Sequence, residues 1–229
     1  MSKENLLFCV IGLLAGLIIG FMFANSINQS VPGQATAAVQ PGNLPAGHPT
    51  IPGGSQGGMQ ADVQAGIDRA KSEPDNFEAQ MKAAELFYQI QRYDNALEYL
   101  KKANKIQPDN YEVIVQLGNT NFDAEHYEEA EKWYAAALAK KEDVNVRTDL
   151  GLTYVFRPDP DYDRAIKEFK RSLAADPNHV QTLQNLTVVY TKKNDAAAAN
   201  ATLQQLEAID AANPAIPKLK TDIAQIPAK

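Results

Sequence analysis

The 229-residue chain carries 22 basic and 28 acidic side chains, a formal net charge of −6 and a single cysteine. Only Lys3 and Glu4 precede Asp62, so the region from Asp62 onward holds the whole imbalance, evenly mixed and without a basic stripe. Such a surface repels phosphate backbones, which tells against nucleic acid as a ligand, and a lone thiol excludes an intramolecular disulfide.

Residues 6–24, LLFCVIGLLAGLIIGFMFA, are apolar and uncharged. As a helix they would span about 28 Å, close to the thickness of a hydrocarbon core. The segment is longer than the apolar part of a signal peptide, although Ala24-Asn25-Ser26 offers small residues for cleavage. A lipoprotein signal fits less well, because the bulky Phe8 precedes Cys9 and the cysteine comes early. The expectation is a retained single-pass membrane anchor over residues 1–29. Lys3 and the α-amino group lie before the span and no Lys or Arg follows it for a long stretch. A cytoplasmic N-terminus and a periplasmic or extracytoplasmic C-terminal domain follow from the positive-inside rule. Gly12, Gly16, Gly20 and Ala24 recur every fourth residue and so share one helix face. That face admits a second helix closely and points to homo-oligomers or pairing with a partner's membrane helix; the alternative is that glycine is simply common in such helices.

Residues 30–60 are uncharged and rich in Gly, Pro, Ala and Gln, as in Pro52-Gly53-Gly54-Ser55-Gln56-Gly57-Gly58. Without an amphipathic period they read as a flexible linker, with an end-to-end distance of roughly 30–36 Å. A phosphate-binding glycine loop is ruled out, since no strand precedes it and no Lys-Ser/Thr follows.

Beyond residue 60 the chain repeats itself. Glu73-Pro74-Asp75-Asn76 returns as Gln107-Pro108-Asp109-Asn110 and loosely as Asp176-Pro177-Asn178-His179. Ala96, Ala130, Ala165 and Ala199 recur at about 34-residue spacing, each followed four residues later by Leu100, Tyr134, Phe169 or Leu203. Leu117-Gly118 and Leu150-Gly151 open two units; Ala84 stands where the first would have glycine. This pattern resembles the tetratricopeptide repeat. The resemblance implies an all-α fold, a right-handed superhelix of about four helix-turn-helix units plus flanking helices, over residues 61–226. The units fall at residues 77–110, 111–144, 145–179 and 180–213.

The residues support the pattern on their own terms. Leu86, Ile90, Leu97 and Leu100 lie at the intervals of an apolar helix face. The Asp or Asn after Pro108 and Pro177 can cap the next helix. Residues 62–72 place Val63, Ile67 and Ala70 on one side, to cover the first unit. Residues 214–226 place Ile216, Leu219, Ile223 and Ile226 inward and Lys218, Lys220 and Asp222 outward, as an end cap requires. From Gly151 to Ala165 the third unit takes two residues more than the second does from Gly118 to Ala130, and the extra pair falls in Arg157-Pro158-Asp159-Pro160-Asp161. A tolerated loop is the default reading, and a partner-contacting protrusion is the sharper one.

No arrangement of catalytic residues is visible. His48, His126 and His179 are not grouped with Cys, Asp or Glu at metal-ligand spacing, and there is no Gly-x-Ser-x-Gly. The sequence therefore reads as a non-enzyme without metal or cofactor. In the tetratricopeptide fold the first helix of each pair lines a concave face, which implies a protein-binding groove. Carried over, the first unit contributes Glu78, Met81, Glu85 and Tyr88, and the second Glu112, Val115, Asn119 and Phe122. The third contributes Asn145, Thr148, Leu152 and Val155, and the fourth Gln181, Gln184 and Val188. The chaperone-binding subclass grips a C-terminal carboxylate with Lys, Arg and Asn; here Met81 and Glu85 replace two of these and only Asn119 agrees. An extended or helical protein segment with apolar anchors and some positive charge is the expected partner. An anchor followed by such repeats is similar in organisation to bacterial envelope accessory proteins of cytochrome c maturation, pilus biogenesis and quality control. A scaffold or adaptor in an envelope assembly is the leading expectation. A purely structural oligomer and a cytosol-facing import or chaperone receptor are the alternatives.

Overall fold

A computed structural model of the protein describes residues 56–227. The expected anchor, with Gly12, Gly16, Gly20 and Ala24, and nearly all of the linker lie outside the described residues. Among the described residues no helix is long and apolar enough to cross a membrane. Among the described residues ten helices follow one another without a strand: α1 Gln56–Ser72, α2 Phe77–Gln89, α3 Tyr93–Ile106, α4 Tyr111–Asp123, α5 Tyr127–Lys140, α6 Val144–Phe156, α7 Tyr162–Ala175, α8 Val180–Lys192, α9 Ala196–Ile209 and α10 Ile216–Ala224. Helices α2/α3, α4/α5, α6/α7 and α8/α9 pack as pairs, and each pair stacks on the next.

Short side chains set the helix starts. Asn76 accepts the Ala79 amide at 3.1 Å, Asn110 that of Val113 at 3.3 Å, and Asp143 those of Asn145 and Val146. Each satisfies a donor that the first helical turn leaves without a partner. Asp161 and Asp195 do the same for α7 and α9. The cap expected after Pro177 is not made: His179, rather than Asn178, occupies the N-cap of α8 and gives no side-chain cap bond.

Three intra-pair turns close alike. Gln91, Glu125 and Asn194 adopt φ of 58°, 61° and 57°. The next amide then reaches back five residues: Arg92 to the Phe87 carbonyl at 2.9 Å, His126 to Asn121 at 2.8 Å and Asp195 to Tyr190 at 2.9 Å. These are Schellman turns, which favour glycine at the left-handed position. Glu125→Gly is therefore expected to stabilise the fold by about 0.5–1 kcal/mol. Thermal unfolding reads this directly, and an unchanged or lowered midpoint would contradict it.

The third turn departs from the other three, as the sequence indicates. Two extra residues separate α6 from α7, and the Asp161 amide still returns to the Tyr154 carbonyl at 2.9 Å. Arg157 bonds Glu131, and both Arg157 and Arg164 lie over the Tyr154 ring, 4.8 and 4.5 Å from its centre. The base of the loop is thus pinned, while Pro158, Asp159 and Pro160 stand exposed.

Packing between paired helices follows one rule. A Cβ on Gly118 would lie 2.6 Å from the Tyr134 ring, and one on Gly151 would overlap Phe169. Glycine in the first helix is what lets an aromatic ring of the second lie against its backbone. The equivalent positions hold Ala84 opposite Leu100 and Thr187 opposite Leu203, so a smaller second residue accompanies a larger first one. Leu86, Leu97 and Leu100 are buried as expected, but Ile90 is 41 % exposed. Helix α2 stops at Gln89, so Ile90 enters the turn and leaves the apolar face.

Both flanking helices cover the stack. In α1, Ile67 and Ala70 are buried on α2, and the helix begins before residue 62, through Gly57 and Gly58. In α10, Ile216, Leu219 and Ile223 are buried against α8 and α9, with Lys218 and Lys220 exposed.

Candidate functional site

The helix stack curves toward its first helices. Helix α4 touches α6, α6 touches α8 and α8 touches α10, whereas no comparable packing joins successive second helices among the described residues. The inner face is therefore built from α2, α4, α6 and α8. The two ends are occupied by α1 and α10, whose outward residues, such as Gln64, Asp68, Lys218 and Lys220, are polar and exposed.

Helix α2 places Glu78 and Glu85 in solvent and half-buries Met81 and Tyr88. Glu85 pairs with Lys82 at 2.8 Å. The Tyr88 hydroxyl crosses to α4 and donates to the Asp123 carboxylate. On α4, Glu112 is exposed while Val115, Asn119 and Phe122 are half-buried. Asn119 accepts the hydroxyl of the buried Tyr134 at 2.9 Å, and Phe122 meets Tyr127 and Phe156 edge-on at 5.5 and 5.7 Å.

Helix α6 differs from its expected role. Leu152 is buried, and Thr148 is fully so, its hydroxyl 2.6 Å from that of Thr182 and 3.0 Å from that of Ser172. Thr148 lies in the joint between the third and fourth units, since α6 and α8 converge there. Asn145 is exposed and held by His179 Nε2 at 3.0 Å, and Val155 is half-buried. On α8, Gln181, Gln184 and Val188 are half-buried, with Gln184 donating to Asn213 at 2.6 Å. The inner face thus runs from exposed acids on α2 and α4 to amides and aliphatics on α6 and α8.

Two acidic residues absent from the sequence-derived set belong to this face. Asp123 and Asp149 sit beside the residues expected there, Phe122 and Thr148. Burial pushes the Asp123 carboxyl up, while the Tyr88 hydroxyl opposes this. Burial pushes the Asp149 carboxyl up to about 7, helped by the charges of Asp143 and Asp123. No hydrogen bond or ion pair reaches Asp149 from any described residue. The signal in the sequence was an acid set directly against the apolar run Leu150-Gly151-Leu152.

Such a shift has a stability consequence. Folded chains hold a proton that unfolded chains release from about pH 4 upward, so stability falls as pH rises toward 7. Asp149→Asn removes that penalty. Its gain over the parent is expected to reach ~1–2 kcal/mol at pH 8, allowing for the water that still reaches this group, and to vanish below about pH 4. A gain that does not depend on pH would contradict the assignment.

Among the described residues no group of three or more His, Cys, Asp or Glu could hold a metal ion.

Comparison with known proteins agrees with the helix pairing. A family model described as tetratricopeptide repeat matches residues 91–148 and 160–223, and a second of the same description matches residues 60–111. No curated protein matches the sequence. Among solved structures, a crystal structure of MamA superposes with a TM-score of 0.60 at 21 % identity, covering 68 % of this chain and 85 % of that one. MamA from Desulfovibrio magneticus RS-1 gives a TM-score of 0.61 at 18 % identity, over 69 % of this chain and 89 % of that one. YrrB, described as a TPR protein with an unusual peptide-binding site, gives 0.61 at 18 % identity, over 72 % and 85 %. These likenesses are of fold. With the repeat spacing, the paired helices and family-model matches that span more than half its length, the chain belongs to the tetratricopeptide-repeat family.

Proposed function

We propose that this protein is a membrane-anchored, non-catalytic scaffold that holds protein partners on the inner face of its repeats, beside a bilayer, in an envelope assembly. The observation that carries the reading is the inner face itself. Half-buried Met81, Val115 and Phe122 lie there among exposed acids, and Val188 lies among amides. The two ends of the stack are closed by polar helices, so end-to-end stacking of repeats is poorly provided for. YrrB, of the same fold, is described as binding peptide. Anchoring rests on the apolar, uncharged residues 6–24, and the extracytoplasmic placement on the charges around them.

The test uses the full chain in its native membranes. Alkaline carbonate should leave the chain in the membrane pellet, and protease added outside the inner membrane should remove the repeats. Met81→Lys with Val115→Lys, both at half-buried surface positions, should lower co-purification of partners at least about tenfold while leaving the helical spectrum intact. Carbonate-soluble unprocessed chain would contradict the anchor, and co-purification unchanged by the pair of lysines would contradict the binding face. Recovery of self-complexes alone would favour the structural-oligomer reading.

A further inference from the structure

The edge of the stack where the paired helices turn carries a run of aromatic rings. Tyr88, near the end of α2, lies 5.4 Å from Tyr93 at the start of α3. One unit on, Phe122 of α4 meets Tyr127 of α5 at 5.5 Å and Phe156 of α6 at 5.7 Å, and Tyr127 stacks on Phe156 at 6.4 Å. Neighbouring turns are tied together by these rings, yet Phe156 remains 40 % exposed, as does Ile90 in the first turn at 41 %. Beyond Phe156 the pinned loop adds exposed Pro158 and Pro160, and an open depression runs past them to Lys193 in the fourth turn. The cations of this depression are already engaged, Arg157 and Arg164 by Glu131 and Lys193 by Asp163. Glu125, Glu128 and Asp159 are exposed along the same edge and form no ion pair with a described residue.

The backbone here offers nothing to an added strand. The amides of Arg92, His126 and Asp161 return to the carbonyls of Phe87, Asn121 and Tyr154, and those of Gln91 and Glu125 to Tyr88 and Phe122. Ring faces and free carboxylates are what remain for a ligand to use. A polyproline helix needs no backbone partner, and aromatic surfaces take its proline rings. Prolines three residues apart recur about every 9 Å along it, close to the roughly 8–10 Å between packed helices, so successive prolines meet successive turns. Such a ligand is stiff before it binds, so docking on an open surface costs it little ordering entropy.

We propose that this turn edge, centred on Phe156, binds a proline-rich segment of a protein partner that also carries arginine or lysine. Tyr127 and Phe156 take the prolines, with Pro158 and Pro160 extending the apolar contact. Glu125, Glu128 and Asp159 meet the basic side chains, which sets the charge of the segments that bind. Met81 and Val115 take no part, so this contact stands or fails apart from the one proposed for the inner face.

The experiment measures fluorescence anisotropy with the full chain in detergent and three short labelled peptides. The first has proline at every third position with leucine and arginine between; the second replaces proline by alanine, and the third replaces arginine by glutamate. At low salt the first should bind at least about tenfold more tightly than either of the others. Phe156→Gln should weaken it at least about fivefold, whereas Met81→Lys should change it by less than about twofold. Glu128→Lys with Asp159→Lys, both at exposed positions, should reverse the order of the arginine and glutamate peptides, which keeps the test decisive if Phe156→Gln loses its helical spectrum. Equal binding of the proline and alanine peptides overturns the inference, as does an order that the two lysines leave unmoved. A loss on Met81→Lys as large as that on Phe156→Gln would place the peptide on the inner face instead, and absence of binding by any peptide would also overturn it.

Discussion

Replacing Arg147 by alanine is expected to lower the stability of the helix stack by about 3 kcal/mol. Its side chain is only 4 % exposed, and its guanidinium donates to Glu168 at 2.6 Å and, with two nitrogens, to Glu142. Glu168 is 10 % exposed, so loss of the arginine leaves a buried carboxylate with the more exposed Arg171 as its remaining cation. The cost is that of an uncompensated charge rather than of lost attraction alone. A second variant separates the two: Arg147→Met together with Glu168→Leu removes both charges and is expected to recover most of the loss. Chemical denaturation followed by circular dichroism reads both, and an Arg147→Ala midpoint equal to the parent's would show that the pair contributes nothing.

A comparable loss, about 2 kcal/mol, is expected for Gly118→Ala, although alanine is intrinsically the better helix former. The added methyl would lie 2.6 Å from a Tyr134 ring that is 2 % exposed and cannot swing aside. Tyr134→Leu alone should also destabilise, since it empties part of the core and leaves Asn119 without the hydroxyl it accepts from. The double variant recreates the pair Ala84 and Leu100, which the first unit already uses. It should be more stable than the sum of the single losses by at least about 1 kcal/mol. Strict additivity would mean that methyl and ring do not meet.

Most of the fold could be read from the chain because the features that specify it are periodic. The recurring alanines, the Leu-Gly pairs and the prolines mark helix crossings and unit boundaries, and the helices lie where those marks put them. What was not legible is local and depends on neighbours from other units. Arg147 reads as a surface residue until Glu142 and Glu168 converge on it. Thr148 reads as groove-lining until α8 brings Thr182 within 2.6 Å. Gln91 and Glu125 carry no sign of a left-handed turn, because the turn is imposed by the angle between paired helices rather than by the residue. Ile90 matches the apolar period yet falls one residue past the helix end. The candidate face divides the same way: Glu78, Met81, Glu85, Glu112, Val115 and Phe122 follow from position within the unit, whereas Asp123 and Asp149 join it through their surroundings in the fold, which raise both carboxyls.

Residue-specific photo-crosslinking in native membranes tests the central claim most directly. A photoreactive amino acid would replace Val115 on the inner face or Gln205 on the exposed side of α9, in otherwise unaltered protein. The inner position should yield a discrete adduct with another protein that disappears when Met81 is changed to lysine, and the outer position should yield none of the same size. Adducts from the outer position alone, or an inner adduct indifferent to Met81→Lys, would mean that partners are held elsewhere.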